Sequence, residues 1–270
     1  MLLVLLSELL ARPPGPPPAR EHTATQSDGV QLVDADQEPP VASEVEVLVR
    51  GDRRIIRSNG VPAHRVGRFP NRGNPHRITS QVHSWSVPAS PERAPRPTEL
   101  ELGPFGVAVN GVPFDPGAAE FFEGRRGTEW RYEALSGAVP LGVDANHAHV
   151  QPTGAYHYHG LPTGLVQELG SPALVGWAAD GFPIYVDPSL DSSWVLKEGP
   201  RPSGPGQPGG VYDGTFVADY ELGEGELDAC NGMETEQGYA YFLTESWPVI
   251  PRCWTGTPDG SFRRRPGPPR

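Results

Sequence analysis

Apolar and polar residues alternate over short stretches of this chain, and Gly or Pro interrupts each stretch within a few positions. In "SEVEVLVRGDRRIIRSNG", Val45, Val47 and Val49 alternate with polar neighbours, the pattern turns at Gly51-Asp52, and it resumes with Ile55 and Ile56. That is the signature of a β-hairpin, and it explains Arg50-Gly51-Asp52 as a turn rather than an adhesion motif. "GVAVNGVPF" repeats the pattern, with Asn110-Gly111 as a two-residue hairpin signature. Further strands are predicted in "GWAADGFPIY", "GTFVADYEL" and "GYAYFLT". "PGAAEFFEG", from Pro116, reads as the one short helix of the middle region, and "EGPRPSGPGQPGG" as a long flexible loop.

Composition sharpens this picture. Gly and Pro, 33 of each, argue against long helices. No repeat, heptad or composition break divides residues 41–262. The expected fold is therefore mainly β: a single sandwich or irregular barrel with few short helices. Residues 1–40 are expected to be a signal-like, disordered Pro-rich leader, and 263–270 a disordered basic tail. The opening "MLLVLLSELLARPPGPPP" is too short to span a bilayer but fits the core of a secretory signal. It lacks a basic n-region and carries Glu8, so a disordered tail is the alternative. No transmembrane segment is expected.

The net charge of −11 leaves no basic footprint for a polyanion, which argues against nucleic acid as a partner. Cys230 and Cys253 are the only cysteines. In an exported protein they would form one disulfide, and in a reducing cytosol two buried thiols. Nothing in the pattern fixes an oligomeric state.

The densest chemistry lies in "HAHVQPTGAYHYHG", residues 147–160, which holds four of the eight histidines. Strand side chains alternate between faces, so His147 and His149 share one face, and so do His157 and His159. Pro152-Thr153-Gly154 suits a three-residue hairpin loop, with Pro setting the first φ and Gly taking the left-handed position. That register sets His149 opposite His157 and His147 opposite His159, so that all four imidazoles share a face while Val150, Tyr156 and Tyr158 turn to the core. A four-residue loop would split the histidines between faces. Neutral imidazole suits copper or zinc, so His147, His149, His157 and His159 form the candidate metal site.

Asp180 could orient a ligating imidazole or act as a base, or it could simply shape its own turn through an Asx bond. Asp219, Glu221, Glu224, Glu226 and Asp228 match no calcium loop and read as a solvated acidic stretch, while Asp228 and Asn231 are placed to hold the disulfide loop. Hydrolase elbows, zincin helices and phosphate loops are absent from the sequence.

The blocks "NGVPFDPGAAEFF", "NHAHVQPTGAYHYHGLPTGL", "VGWAADGFPIY", "LDACNG" and "PVIPRCWTGTPDGSF" resemble, in order, those of the YHYH-domain family of mainly secreted or surface proteins. The family's tyrosine-histidine block maps onto Tyr156, His157, Tyr158 and His159, and its cysteines onto Cys230 and Cys253. The sequence departs at Val186, where Gly is expected. The resemblance supplies neither a reaction nor a ligand set.

Three readings of function remain. A copper-dependent oxidoreductase would use Tyr158 or Tyr156 near the metal, with Tyr158 and Asp180 as catalytic candidates. A zinc-dependent hydrolase would need one histidine to be spare, because four close a tetrahedral site. A non-catalytic extracellular module would use the metal as a staple. Small molecules or polysaccharides are the substrate classes these readings allow.

Overall fold

The computed structural model describes residues 22–263. The first hairpin forms as expected. β1 (Val45–Arg50) pairs with β2 (Arg53–Ser58) in the register Val45 with Ser58 through Arg50 with Arg53, and β2 pairs in turn with β3 (His83–Pro88). Val45, Val47 and Val49 lie exposed on this edge strand, while Ile56, Trp85 and Val87 carry the small sheet into the main core.

The remaining strands are β4 (Arg93–Glu99), β5 (Gly106–Ala108), β6 (Pro113–Phe114), β7 (Gly117–Phe121), β8 (Arg131–Glu133), β9 (Ala148–Val150) and β10 (Tyr156–Tyr158). After the helix α1 (Thr163–Leu169) come β11 (Ala173–Ala178), β12 (Pro183–Val186), β13 (Trp194–Leu196), β14 (Ser203–Gly204) and β15 (Gln207–Pro208). β16 (Tyr220–Leu222), β17 (Gly232–Thr235), β18 (Gly238–Leu243) and β19 (Cys253–Gly256) complete the set. The central eight-stranded sheet runs β17-β18-β12-β11-β5-β6-β10-β9, with the histidine hairpin at one edge. The fold is mainly β, and its sheets do not close into a barrel.

Three expectations change. "PGAAEFFEG" is not a helix. It forms β7 against β8, because the aromatic at its end is needed elsewhere: Phe122 packs into a second core with Trp130, Tyr132, Val139 and Phe216. Tertiary burial here overrides the helical preference of Ala and Glu. The supposed flexible loop contains the β14–β15 hairpin and is anchored by Arg201, whose fully buried side chain pairs with Asp213 and the equally buried Asp219. Asp219 is therefore not part of a solvated acidic stretch. Residues 22–40 do not hang free but lie extended against the body: the Val33 amide donates to the Val143 carbonyl at 2.9 Å, and the Tyr132 hydroxyl to the Ala24 carbonyl at 2.8 Å. The signal-like stretch and residues 264–270 of the tail lie outside the described residues.

Cys230 and Cys253 form a disulfide that ties the segment before β17 to β19. As anticipated, Asp228 steadies this corner by accepting from the amides of Cys230 at 2.9 Å and Gly232 at 3.1 Å. Asn231 reaches across to the Phe242 carbonyl and the Thr244 hydroxyl.

Candidate metal centre

The register of one hairpin decides the site. His149 stands opposite His157, and the loop Pro152–Gly154 closes through amide bonds from Gln151 to the Ala155 carbonyl and from Gly154 back to Gln151. Gly154 sits at φ +85°, and a Cβ there would meet the Thr79 hydroxyl at 2.0 Å, so both the turn and its neighbour require glycine. With the register fixed, Val150, Tyr156 and Tyr158 go to the core and His149, His157 and His159 to the other face.

Those three imidazoles form a compact triangle. Their ring centroids are 4.6–4.7 Å apart, and one potential ligand atom from each lies within 4.8 Å of the others. The backbone sets how two of the rings face. His149 Nδ1 donates to the Leu141 carbonyl at 3.0 Å, and His157 Nδ1 to the Ala155 carbonyl at 3.3 Å. A carbonyl only accepts, so each of these rings carries its proton on Nδ1 and presents an Nε2 lone pair, the usual outer support of a metal-binding histidine. His157 Nε2 and His159 Nε2 are 3.0 Å apart. Two donors sharing one zinc-like ion at about 2.0–2.1 Å stand roughly 3 Å apart, so this chain's residues fit an ion there.

His147 does not join them. Its φ of +52° lies in the left-handed region, in a turn closed by its own amide on the Asp144 carbonyl, so strand alternation ends before it. The amide of His159 still bonds to the His147 carbonyl at 2.7 Å, as the register requires, but the ring turns to the Leu161 carbonyl instead. The backbone pairing was legible in the sequence, whereas the side-chain direction was not.

Both tyrosines serve the hairpin from behind. The Tyr158 hydroxyl donates to His64 Nε2 at 2.6 Å and accepts from Asn110 at 2.8 Å, and the Tyr156 hydroxyl donates to Asp144 at 2.8 Å. Tyr158 is fully buried on the face opposite the imidazoles. Asp180 is buried too. It accepts from the Tyr241 hydroxyl at 2.6 Å, the Gly256 amide at 2.8 Å and, in an Asx turn, the Phe182 amide at 3.4 Å, so it shapes the β11–β12 corner.

Sequence reasoning missed Asp115 and His76. Phe114 pairs in parallel with Tyr158, which carries the buried Asp115 to the triad: its amide donates to the Tyr158 carbonyl at 2.9 Å and its carboxylate accepts from Gln151 at 3.2 Å. The Asp115 charge opposes, and His76 reinforces, the depression of the His149 pKa. No local pattern marks either residue: Asp115 arrives through strand pairing, and His76 follows Asn74, whose side chain donates to the Val150 carbonyl and accepts from the His76 amide.

Burial, then the field of His157, holds the His149 imidazole down at about 3, and burial with the fields of His149 and His157 holds His159 well below the ordinary range. Both rings are neutral at pH 7. Because their folded pKa values are depressed, the unfolded chain takes up protons near pH 6.5 that the folded chain refuses. Metal-free protein should therefore lose stability as pH falls below 6.5, by about 1.4 kcal/mol per unit for each such group. Urea midpoints between pH 7 and pH 5 check this, and His149→Gln should flatten the slope; an unchanged slope would contradict the assignment.

His157 and His159 are 3% and 2% exposed, but the half-buried His149 lines a cleft of about 470 Å³. Of the three imidazoles, only His149 reaches the cleft, and His157 and His159 lie behind it. A family model for YHYH proteins matches residues 84–256, a span that includes the whole hairpin. The chain belongs to the YHYH protein family. No curated protein and no solved structure matches it. In this YHYH protein, the two tyrosines of the signature lie in the core and its two histidines join His149 in the imidazole cluster.

Proposed function

We propose that this YHYH protein is an exported, metal-dependent enzyme in which His149, His157 and His159 hold one ion at the floor of a cleft. The observation that carries this reading is the three-imidazole cluster, one member of which, His149, also lines the cleft. Structural zinc is ringed by four protein ligands, whereas catalytic zinc keeps three and leaves a position for substrate. With His147 turned away, the objection that four histidines would close the site no longer applies, and zinc-dependent hydrolysis becomes the best-supported chemistry. A divalent ion there supplies Lewis acidity toward a polar bond in the cleft. The Leu141 and Ala155 carbonyls orient the His149 and His157 rings that would hold the ion, and the buried Tyr156 and Tyr158 would keep water from the far side of the hairpin.

Copper oxidoreduction is the second reading, favoured by the all-imidazole donor set. It has lost its tyrosine partners, since both hydroxyls are engaged on the opposite face. The disulfide supports export, because such bonds persist in oxidising compartments.

Access to the ion tests the enzyme reading. Protein loaded with Co²⁺ should change its visible spectrum when azide is added. An unchanged spectrum at saturating azide would mean a coordinatively closed ion, and the site would be a staple.

A further inference from the structure

The cleft over His149 has a distinctive lining. One wall is apolar, formed by Phe121, Val139, Pro140 and Leu141, and Arg126 stands in the lining as its only permanently cationic side chain. Neighbouring Arg125 pairs with Glu123 at 3.8 Å, whereas Arg126 has no ion pair or side-chain hydrogen bond among the described residues. The turn presenting it is tightly fixed. Glu123 and Gly124 both have positive φ, the Glu123 amide is held by the His22 carbonyl, and the Arg126 amide by the Gly124 carbonyl. With a divalent ion at the triad, positive charge outweighs Glu120 in the lining and Asp115 behind it.

We propose that this cleft binds a small molecule with an apolar body and one oxyanion group, a carboxylate or a phosphate monoester, whose charge is fixed by the Arg126 guanidinium while its body reaches the three-histidine centre. The proposal rests on the metal reading for the reacting end of the ligand, and on Arg126 and the apolar wall for recognition. The volume is within the range of small-molecule sites, which runs from about 300 to 1,000 Å³. The planar fork of arginine matches either oxyanion in a two-point contact.

Calorimetric titration of Zn²⁺-loaded protein with benzoate, phenyl phosphate and the neutral isostere benzamide tests this. Benzoate or phenyl phosphate should bind at least about tenfold more tightly than benzamide, and the tighter of the two identifies the oxyanion. Arg126→Gln should erase that preference, with Arg126→Lys retaining part of it, while Zn²⁺ stoichiometry stays at the wild-type value. Equal affinities for benzoate and benzamide, or an Arg126→Gln variant that binds the anions as wild type does, would overturn the proposal. Failure of the metal reading is distinguishable: the chain would then take up no Zn²⁺, yet an Arg126-dependent anion preference in metal-free protein would still support the recognition site.

Discussion

Replacing His159 with Ala should remove stable metal binding. The imidazole is buried, its Nε2 lies 3.0 Å from that of His157, and no other residue of the triad can move into its place, because β9 and β10 are locked in register. Loss of an outer partner to a metal ligand costs about 10–100-fold in affinity, so loss of one of three direct ligands should exceed that. His147→Ala, two residues before the hairpin face, should leave affinity unchanged, since its ring is committed to Leu161. Competition titrations with a chromophoric chelator read both. Equal losses in the two variants would mean that His147 is a ligand after all.

The contrast between these residues shows what could be read from the chain. Pro152-Thr153-Gly154 specified its loop locally, through the fixed φ of proline and the left-handed glycine, and the loop specified the register of His149 with His157. His147 departs because Asp144 builds a tight turn at the strand end, bonding the amides of Asn146 and Ala148. That turn depends on Asp144 being buried beneath Tyr156, a contact with no sequence period. Asp115 reaches the site only through strand pairing across the fold, and His76 only through the bond of Asn74 to the Val150 carbonyl. The misread "PGAAEFF" shows the same limit: its composition favours a helix, but β8 and the aromatic core around Phe216 decide otherwise.

Arg201→Ala should be the most destabilising single change outside the site. The guanidinium bonds Asp219 through Nε at 2.7 Å and Nη2 at 2.6 Å, pairs with Asp213, and donates to the Thr25 and Gly209 carbonyls. Its carbon lies 4.9 Å from the centre of the Phe216 ring. Truncation leaves the buried Asp219 carboxylate without its counter-charge, a loss of about 3–5 kcal/mol for a buried pair. At roughly 2–4 °C per kcal/mol, Tm should fall by about 6–20 °C. Arg201→Met with Asp219→Leu should recover only part of this, because it removes the Arg201 and Asp219 charges together but leaves Asp213 without its partner and the Gly214 and Phe216 amides without their acceptor. A shift in Tm below about 2 °C for the single variant would show that water reaches the network and screens it. This anchor was invisible to pattern reading because the segment around it, rich in Gly and Pro, looks like a linker, and the carboxylates that hold it come later in the chain.

One metal ion at His149, His157 and His159 is the expected state of the purified protein. Elemental analysis of protein purified without a histidine tag tests it most directly, run side by side on the wild type, His147→Ala and His157→Ala. One equivalent of a transition metal in the wild type and in His147→Ala, with none in His157→Ala, is the predicted result. A wild-type protein without metal after incubation with zinc and copper, or full occupancy in His157→Ala, would contradict it.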